Sequence, residues 1–532
     1  MIHENLLLVL SLLFAIFILI MLGQRLNISY PIFLVIGGLL ISLIPGIPAF
    51  EIDPQIVFLI FLPPLLYEAA WYTSWRDFWR MRRAIALLGF GLVLFTSFVI
   101  AFLSHSIIPG FTLALGFLLG GIISPPDAVA ATSVLKGLAI PKRVLTILEG
   151  ESLVNDAASL TVFRFALAAV VSGSFVMKQA AAEFFMITFM GIVIGLAVAH
   201  VFYVLHRWFP TNSSMDAALT FMAPYFMYLS AEHFHYSGVM AVVSGGLFLS
   251  YRAHEIFKFN SRLQIYGVWN TITFVLNGFV FILIGLQLPV IVNGLGDYSL
   301  AQAIKYGLII TLATILVRIV WVYPATFIPR WLSKRVRQRE SLPSIANVFI
   351  VAWAGMRGVV SLASALAVPL TLSTGKAFPQ RNLILFITFV VILVTLVVQG
   401  LTLPFLIRQL ELQDSEDSVP EDEQETAVSL ALTQTALQHI NQKYSREMAG
   451  NELVQNLGKQ LESEQAITSQ LLESLECDTL EKQEIDIYHR ILLDINRMQR
   501  KELSRIRREH KYSDEVIRKK EAWLDMEEAR LH

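Results

Sequence analysis

The feature that most constrains this chain is a series of long apolar runs between residues 4 and 407. A run of about 17–25 residues is long enough, as an α-helix, to cross the hydrocarbon core of a bilayer. Only 16% of the residues are charged, whereas about a quarter are charged in a soluble domain. The sequence therefore predicts an all-α polytopic membrane protein with about 13 transmembrane helices. The predicted segments are 4–22, 29–45, 54–72, 84–104, 111–134, 143–172, 180–206, 214–232, 236–250, 264–291, 301–328, 344–370 and 382–407.

The distribution of basic residues predicts how these segments are oriented. The loops on one side of the predicted membrane hold 18 Lys and Arg residues, and the loops on the other side hold 4. Cytoplasmic loops carry an excess of Lys and Arg. We therefore expect an integral cell-membrane protein with its N-terminus outside and its C-terminal tail in the cytoplasm. The single cysteine, Cys477, excludes a disulfide within the chain.

Several ionisable residues lie inside the predicted membrane segments. A charge at mid-membrane costs about 2.5–3.5 kcal/mol on insertion scales, so such residues face the protein interior, pair with one another or line a wet cavity. We therefore expect functional residues among them. They are Glu68, Asp127, Glu149, Glu151, Asp156, Arg164, Arg318 and Arg357.

Two of the predicted segments contain breaks in the helix. Two prolines precede Asp127 in "SPPDAVAAT", and two glycines bracket Arg357 in "WAGMRGVVSLA". One interrupted helix in each half of the chain indicates an inverted-repeat transporter whose site lies where the broken helices cross. Opposed half-helix ends need charges of both signs. We expect Asp127 and Arg357 to neutralise these helix ends rather than to touch an ion.

A polar helix face lies between the two breaks, in "LEGESLVNDAASL". Ser152, Asn155, Asp156 and Ser159 are spaced i, i+3, i+4 and i+7 and share one face, whereas Glu151 points about 100° away from Ser152. Carboxylate, hydroxyl and amide oxygens suit a small, hard cation. Asp156 is interpreted as the group that binds either a proton or a cation; the alternative is a structural acid satisfied by a neighbouring helix.

Two further acids have expected partners. Glu68, in "FLPPLLYEAAW", is expected to converge on the same polar face, either as an ion ligand or as a hydrogen-bonded support. Arginines inside a membrane need carboxylate partners. For Glu151 we therefore expect a structural role in a pair with Arg318.

Four motifs in this order, "FLPPLLYEAA", "SPPDAVAAT", "LEGESLVNDAASL" and "WAGMRGVVSLA", resemble those of the sodium/proton exchangers of the monovalent cation:proton antiporter-1 family, the NhaP/NHE type. The resemblance covers about residues 5–410. It implies a NhaA/NhaP-like fold with inverted repeats and two broken helices. It also implies a homodimer in which a core domain moves against a dimerisation domain. The implied activity is electroneutral, one-for-one exchange of Na⁺ or Li⁺ for H⁺, contributing to intracellular pH and sodium homeostasis.

The same resemblance implies roles for individual residues. Asp156 matches the transport carboxylate for which ion and proton compete. Asn155 matches the partner that distinguishes the electroneutral branch from relatives with two aspartates. Ser152 and Glu68 match ligands or close supports of the transiently bound Na⁺.

The family's remaining motif residues are matched with one departure. Asp127 falls on the aspartate of a Thr-Asp motif, but the residue before it here is Pro126, so a threonine-hydroxyl ligand is absent. Glu151 and Arg318 match a buried structural ion pair. Arg357 matches the arginine of the broken twelfth helix.

Three other functions are alternatives to this one. A K⁺/H⁺ or broad monovalent cation/H⁺ antiporter would use the same ligand types and differ only in cavity size. A cation channel should show a pore-lining repeat, and an intramembrane aspartyl protease should show "YD" and "GxGD" around its aspartates, where this chain has "LVND" and "PPD". We expect no enzymatic activity, no cofactor and no nucleic-acid partner.

The composition changes abruptly after Arg408. Residues 1–411 are predicted to be the transmembrane exchanger domain, and 412–425 ("LQDSEDSVPEDEQE") an acidic linker. Residues 426–532 show apolar positions at helical spacing and mixed charges. We expect a soluble, helical cytoplasmic tail with a regulatory or dimer-stabilising role.

Overall fold

The computed structural model describes residues 2–26, 28–44, 59–135, 138, 140–172, 177–296, 298–334, 342–372, 375–410, 412, 421–477, 481–508 and 514–531. Most of the predicted acidic linker and the start of segment 54–72 lie outside these residues. The chain divides into two compact units, Met1–Ser415 and Glu416–His532. The described ranges contain helices and no β-strand, apart from one isolated bridge between Thr371 and Ala377. The all-α prediction is confirmed.

The first unit contains the helices that position the site. They are α1 (Ile2–Arg25), α2 (Tyr30–Ser42), α3 (Leu62–Tyr72), α4 (Trp75–Ala86), α5 (Val93–Ile107), α6 (Leu113–Ile123), α7 (Ala128–Leu135), α8 (Lys142–Ser172), α9 (Met177–Trp208), α10 (Ser213–His233), α11 (Gly238–Ile256), α12 (Phe259–Leu286), α13 (Leu288–Asn293), α14 (Leu300–Leu332), α15 (Ile345–Trp353), α16 (Val359–Leu366), α17 (Arg381–Val394) and α18 (Gly400–Gln409). Two short π-helical segments, Leu87–Leu92 and Thr395–Gln399, join α4 to α5 and α17 to α18.

Eight helical stretches in the described ranges are long and apolar enough to cross a membrane. They are Leu6–Arg25, Trp75–Ile107, Leu113–Leu135, Lys142–Ser172, Glu183–Trp208, Phe259–Asn293, Leu300–Leu332 and Arg381–Gln409. The other predicted segments coincide with helices that are shorter, interrupted or less apolar, namely α2, α3, α10, α11 and the pair α15–α16. The total of 13 and the inverted repeats stay predictions.

Both predicted helix breaks are present. The four residues 124–127 separate α6 from α7, and the five residues 354–358 separate α15 from α16. In the first break, two consecutive prolines remove the amide donors that would continue the helix. At each break one helix ends and the next begins. Each break therefore leaves the C-terminal end of one helix and the N-terminal end of another inside the bundle.

The helix that carries the polar face lies between two apolar cores. One core includes Leu118 of α6 and Ile387 of α17, and the other includes Tyr67 of α3 and Met227 of α10. Helix α8 contributes residues to both cores, because it is buried along much of its length. Its polar side chains are therefore enclosed by apolar packing on both sides.

One close helix contact depends on glycine. Helices α2 and α12 pack so tightly that a Cβ atom at Gly285 would collide with the backbone of Val35 and Leu39. Gly38 makes the reciprocal approach to the carbonyl of Ile282. Small residues allow helices to pack this closely in a membrane.

The second unit consists of α19 (Glu421–Lys443), α20 (Ser445–Gly450), α21 (Glu452–Cys477), α22 (Glu481–Arg508) and α23 (Asp514–Leu531). Asn496 of α22 is 5% exposed and donates from Nδ2 to the Leu524 carbonyl of α23 at 3.2 Å. Arg500 donates to Asp525 and Glu528 at 2.7 and 2.6 Å. Hydrogen bonds and ion pairs thus join the last two helices.

Candidate functional site

The two breaks meet at Asp127. Its backbone N–H donates to the carbonyl of Met356, in the other break, at 2.7 Å. Its Oδ1 accepts from the backbone N–H of Val129 at 2.8 Å, and the amides of Ala130 and Val359 also face the carboxylate. The Asp127 carboxylate therefore lies at the N-terminal ends of both α7 and α16, where a negative charge is favoured.

Arg357 occupies the opposite kind of helix end. It is fully buried, and its Nε donates to the carbonyl of Ile123 at 3.0 Å while Nη2 lies 3.4 Å from the carbonyl of Ser124. Its Nη1 donates to the carbonyl of Gly355. The guanidinium thus binds carbonyls at the C-terminal end of α6 and just beyond the end of α15, where a positive charge is favoured.

The polar face of α8 docks onto the first break. Ser152 Oγ accepts from the backbone N–H of Ala128 at 3.3 Å, and Asn155 Nδ2 donates to the carbonyl of Pro126 at 2.8 Å. The Asn155 side chain is fully buried, and its Oδ1 has no hydrogen-bond partner among the described residues. Ser152 and Asn155 therefore satisfy backbone groups that the prolines leave outside a helix.

Asp156 lines a cavity of about 60 Å³ next to this crossing. Its side chain is almost completely buried, since the residue is 7% exposed. Asp127 and Ser152 line the same cavity, so the structure brings these three predicted residues together. Ser159, on the same face of α8, instead donates to the backbone carbonyl of Asp156 at 3.0 Å.

Two residues of this cavity were missed by the sequence reasoning. Asn277 of α12 and Ser361 of α16 line it, and both are buried. Ser361 Oγ has no hydrogen-bond partner in the described part of the chain. The available signal for Asn277 was the one amide in the apolar second half of α12, "TFVLNGFVFILIGL"; Ser361 had no distinguishing signal.

Glu68 lies beside the cavity rather than in its described lining. It is partly buried on α3, and its neighbours Leu65 and Ala69 line the cavity, but Glu68 is not among the lining residues. Its charge interacts with that of Glu149 on α8. The structure therefore places Glu68 beside the cavity, on the helix that contributes Leu62, Leu65, Leu66 and Ala69 to its lining.

Two ion pairs involve the other membrane-depth charges. Glu151 and Arg318 form a bidentate pair at 2.5 and 2.8 Å, with side chains 1% and 0% exposed. Arg318 also donates to the Val351 carbonyl of α15. Arg164 pairs with Glu232 at 2.6 Å in a more exposed setting. Because Glu151 is held by Arg318, its carboxylate is directed away from the cavity that its neighbour Ser152 lines.

The cavity has the chemistry of a site for a small cation. Its described walls offer the carboxylates of Asp127 and Asp156, the hydroxyls of Ser152 and Ser361, and the amide of Asn277. These are the oxygen ligands that hard cations prefer. The cavity volume of about 60 Å³ corresponds to roughly two water molecules at about 30 Å³ each, so a monovalent ion with one water molecule of its hydration shell fits.

Comparison with known proteins identifies the fold and the family. A family model described as "Sodium/hydrogen exchanger, transmembrane" matches residues 10–409. An "Uncharacterized Na(+)/H(+) exchanger" of Mycobacterium tuberculosis is 31% identical over 514 residues, covering 96% of this chain and 93% of that protein. A "Sodium, potassium, lithium and rubidium/H(+) antiporter" of Bacillus pumilus is 34% identical over 389 residues, covering 71% of this chain and 58% of its own length. These matches confirm the resemblance that the four motifs indicated.

The fold also matches a solved structure. The sodium proton antiporter MjNhaP1 from Methanocaldococcus jannaschii superimposes with a TM-score of 0.59 at 20% identity, covering 76% of this chain and 99% of that one. At this identity the match shows a common fold.

Proposed function

This chain belongs to the sodium/hydrogen exchanger family, and we propose that it exchanges Na⁺ for H⁺ with both ions binding at Asp156. Membership makes it an integral membrane protein and a secondary transporter rather than an enzyme.

The observation that carries this proposal is the distribution of charge around the cavity. Asp127 faces backbone amides at two helix N-termini, and Glu151 is paired with Arg318. Among the described residues that line the cavity, none is basic. Burying an ionised carboxylate away from water and from any counter-charge costs free energy. Asp156 therefore needs a proton or a cation as its partner.

One carboxylate with two alternative partners gives a simple exchange cycle. A proton and a monovalent cation each neutralise Asp156, and neither binds productively while the other is there. Ser152, Asn277 and Ser361 supply neutral oxygens that hold the cation but add no charge. One ion of each kind is then exchanged and no net charge moves. Alternating exposure of the loaded cavity to the two sides couples the two gradients.

Other parts of the proposal follow the sequence and the family. We propose that the N-terminus lies outside, because the basic loops are then cytoplasmic. We propose that residues 1–411 form the exchanger domain of a homodimer, that 412–425 link it to the tail, and that 426–532 regulate exchange or stabilise the dimer. The two carboxylates Asp127 and Glu68 are proposed as supports of the site rather than direct ligands.

A second candidate is exchange of several monovalent cations, including K⁺. The Bacillus pumilus relative, whose name includes sodium, potassium, lithium and rubidium, favours it. In this chain Pro126 contributes no side-chain oxygen, and its carbonyl already accepts a hydrogen bond from Asn155. When the protein supplies fewer fixed ligands, water molecules complete more of the ion's coordination. Because water molecules adapt to ions of different radius, such a site selects less sharply among cations.

The test is exchange in proteoliposomes, followed by a pH-sensitive dye. Wild-type protein should show proton flux driven by Na⁺, and by other cations if the second candidate is correct, with the same rate whether or not a membrane potential is imposed. Asp156→Asn should show no flux above empty liposomes while eluting as a folded protein in gel filtration.

The matched control is Asp216→Asn. Asp216 is also a buried aspartate of a long helix, but it pairs with His206 at 2.9 Å and does not line the cavity. Folded Asp216→Asn protein should still exchange. Cation-driven proton flux in Asp156→Asn, at a rate near that of this control, would show that the assignment of Asp156 is wrong.

A further inference from the structure

Helix α22 of the second unit has two different faces. One face contacts α23, where Asn496 binds the Leu524 carbonyl and Arg500 binds the carboxylates of Asp525 and Glu528. The opposite face carries apolar side chains that are exposed. The exchange cycle proposed above does not involve this face.

Four apolar residues form a stripe along the exposed face. Their spacing of i, i+4, i+8 and i+11 places them within about 80° of one another around the helix axis, over a length of about 16 Å. They are between 48% and 64% exposed, and they are Ile487, Ile491, Ile495 and Met498. An exposed apolar patch on a folded protein marks a surface that contacts something else.

Basic residues lie along one side of this apolar stripe. Three of them are exposed, namely Arg490, Arg497 and Lys501. Asp494 lies among them, so three positive charges and one negative charge leave this flank with a net positive charge. The Glu502 carboxylate, on the same face beyond Met498, pairs with Arg505 at 2.6 Å. An apolar helix face beside Lys and Arg residues is typical of helices that lie on a membrane surface.

We propose that the apolar stripe of α22 lies on an anionic membrane surface. Its side chains enter the boundary between the lipid headgroups and the acyl chains, and its basic flank attracts the lipid phosphates. This contact concerns the tail alone and does not depend on which ions the exchanger carries. It requires only that the chain is an integral membrane protein, as its family membership shows.

The covalent connection holds the tail within reach of a bilayer. Helix α18 ends at Gln409 and α19 begins at Glu421. Even fully extended, the chain between them spans no more than about 40 Å. Helix α18 belongs to the stretch Arg381–Gln409, which is long and apolar enough to cross a membrane. Because the connection is short, contact of α22 with the membrane is intramolecular, and a weak attraction is sufficient.

A second copy of α22 is a less suitable partner for the stripe. A stable protein–protein interface buries about 800 Å² on each partner, and four partly exposed side chains on one helix supply less than that. In an antiparallel pair of these helices, the basic flanks of the two copies would also face each other and repel. A membrane surface needs no minimum area, because each apolar side chain inserts by itself and each basic residue adds attraction.

The experiment measures the polarity around the stripe in the full-length protein. In a Cys477→Ser background, which removes the single native cysteine, Ile495→Cys carries a fluorophore whose emission wavelength depends on polarity. The matched control probe is Ser504→Cys, an exposed position about 180° away around α22. Each labelled protein is measured in detergent, in nanodiscs of phosphatidylcholine, and in nanodiscs that also contain phosphatidylglycerol.

Phosphatidylglycerol should shift the emission of the Ile495 probe to shorter wavelengths and leave that of the Ser504 probe unchanged. Each basic residue near an anionic surface favours contact about fivefold, so removing three should lower the ratio of bound to free tail by about 100-fold. The shift should therefore be lost in the charge variant, Arg490→Gln with Arg497→Gln and Lys501→Gln. It should be kept in the matched control variant, which removes three exposed charges from other helices of the tail, Lys443→Gln with Arg446→Gln and Lys459→Gln.

Several results would overturn the proposal. These are equal emission of the Ile495 probe in the two kinds of nanodisc, equal shifts of both probes, and equal responses of both triple variants. A shift in detergent that disappears on dilution would also overturn it, because a second copy would then cover the stripe. If Ile495→Cys protein does not fold, Met498→Cys on the same stripe repeats the measurement. The readout does not use exchange activity, so failure of the Asp156 assignment and failure of this proposal are separate results.

Discussion

The Glu151–Arg318 pair gives the sharpest test of the charge arrangement. Both side chains are at most 1% exposed, and two parallel hydrogen bonds of 2.5 and 2.8 Å join them. Substituting Glu151→Gln leaves the guanidinium of Arg318 buried without a counter-charge. The amide oxygen of the glutamine can still accept one hydrogen bond, and those to the Val351 carbonyl remain, but no negative charge faces the guanidinium.

The expected cost is large because the remaining charge stays out of water. Removing one partner of a buried pair costs about 3–5 kcal/mol of unfolding free energy. The double variant Glu151→Gln with Arg318→Gln removes both charges, so its cost should be well below the sum of the two single costs. We expect a coupling energy of about 2–4 kcal/mol, most of it the penalty of an unpaired buried charge.

The matched control is the pair Arg164–Glu232. Its hydrogen bonds are as short, at 2.6 and 2.7 Å, but its side chains are 42% and 29% exposed. Exposed pairs contribute about 0.2–1 kcal/mol. A double-mutant cycle on Arg164→Gln and Glu232→Gln should therefore give a coupling energy several times smaller than the buried cycle.

Both cycles can be measured by denaturant unfolding in mixed micelles, with exchange assayed on the folded fraction in proteoliposomes. Folded Glu151→Gln protein should retain the wild-type cation KM, because Glu151 does not line the Asp156 cavity. Two results would refute the reasoning: a buried coupling energy no larger than the exposed one, or a changed cation KM with unchanged stability.

Two further predictions concern the crossing and the cavity. Gly358→Ala should abolish exchange, because a methyl group there collides with the Asp127 carboxylate. The control Gly267→Ala lies in open space on α12 and should stabilise the protein by up to about 1 kcal/mol. Exchange in proteoliposomes and a melting curve test both variants. Asn277→Ala should raise the KM for Na⁺ by about tenfold, the equivalent of about 1.4 kcal/mol of lost ion binding; an unchanged KM would remove Asn277 from the site.

The local chemistry of the site could be predicted from the sequence. Consecutive prolines in the middle of an apolar segment remove amide donors that a helix needs, and glycines weaken a helix, so both breaks were predictable. Helical spacing alone separates Ser152 from Glu151, and the structure directs these neighbours to the cavity and to Arg318 respectively.

The relations between distant segments could not be predicted in the same way. Asn277 and Ser361 reach the cavity from helices more than 100 residues beyond Asp156, and a lone polar residue in an apolar helix more often has a structural role. Glu68 was expected to converge on the polar face of α8 as an ion ligand or a hydrogen-bonded support, and the position of its side chain depends on how α3 is rotated in the packed bundle. No local pattern encodes that rotation.

The hydrogen bonds of Arg357 have a mechanical consequence for transport. A single guanidinium holds carbonyls from both interrupted helices, and the backbone of Asp127 ties the same two segments at Met356. Tilting one half-helix by itself would break several of these bonds, each contributing about 0.5–1.5 kcal/mol net and more where a charge is involved. Sliding along an apolar surface breaks none. The four half-helices should therefore travel as one rigid block together with α8 and α14, which hydrogen-bond to them through Ser152, Asn155 and Arg318, and the plane of slip should lie outside these polar contacts.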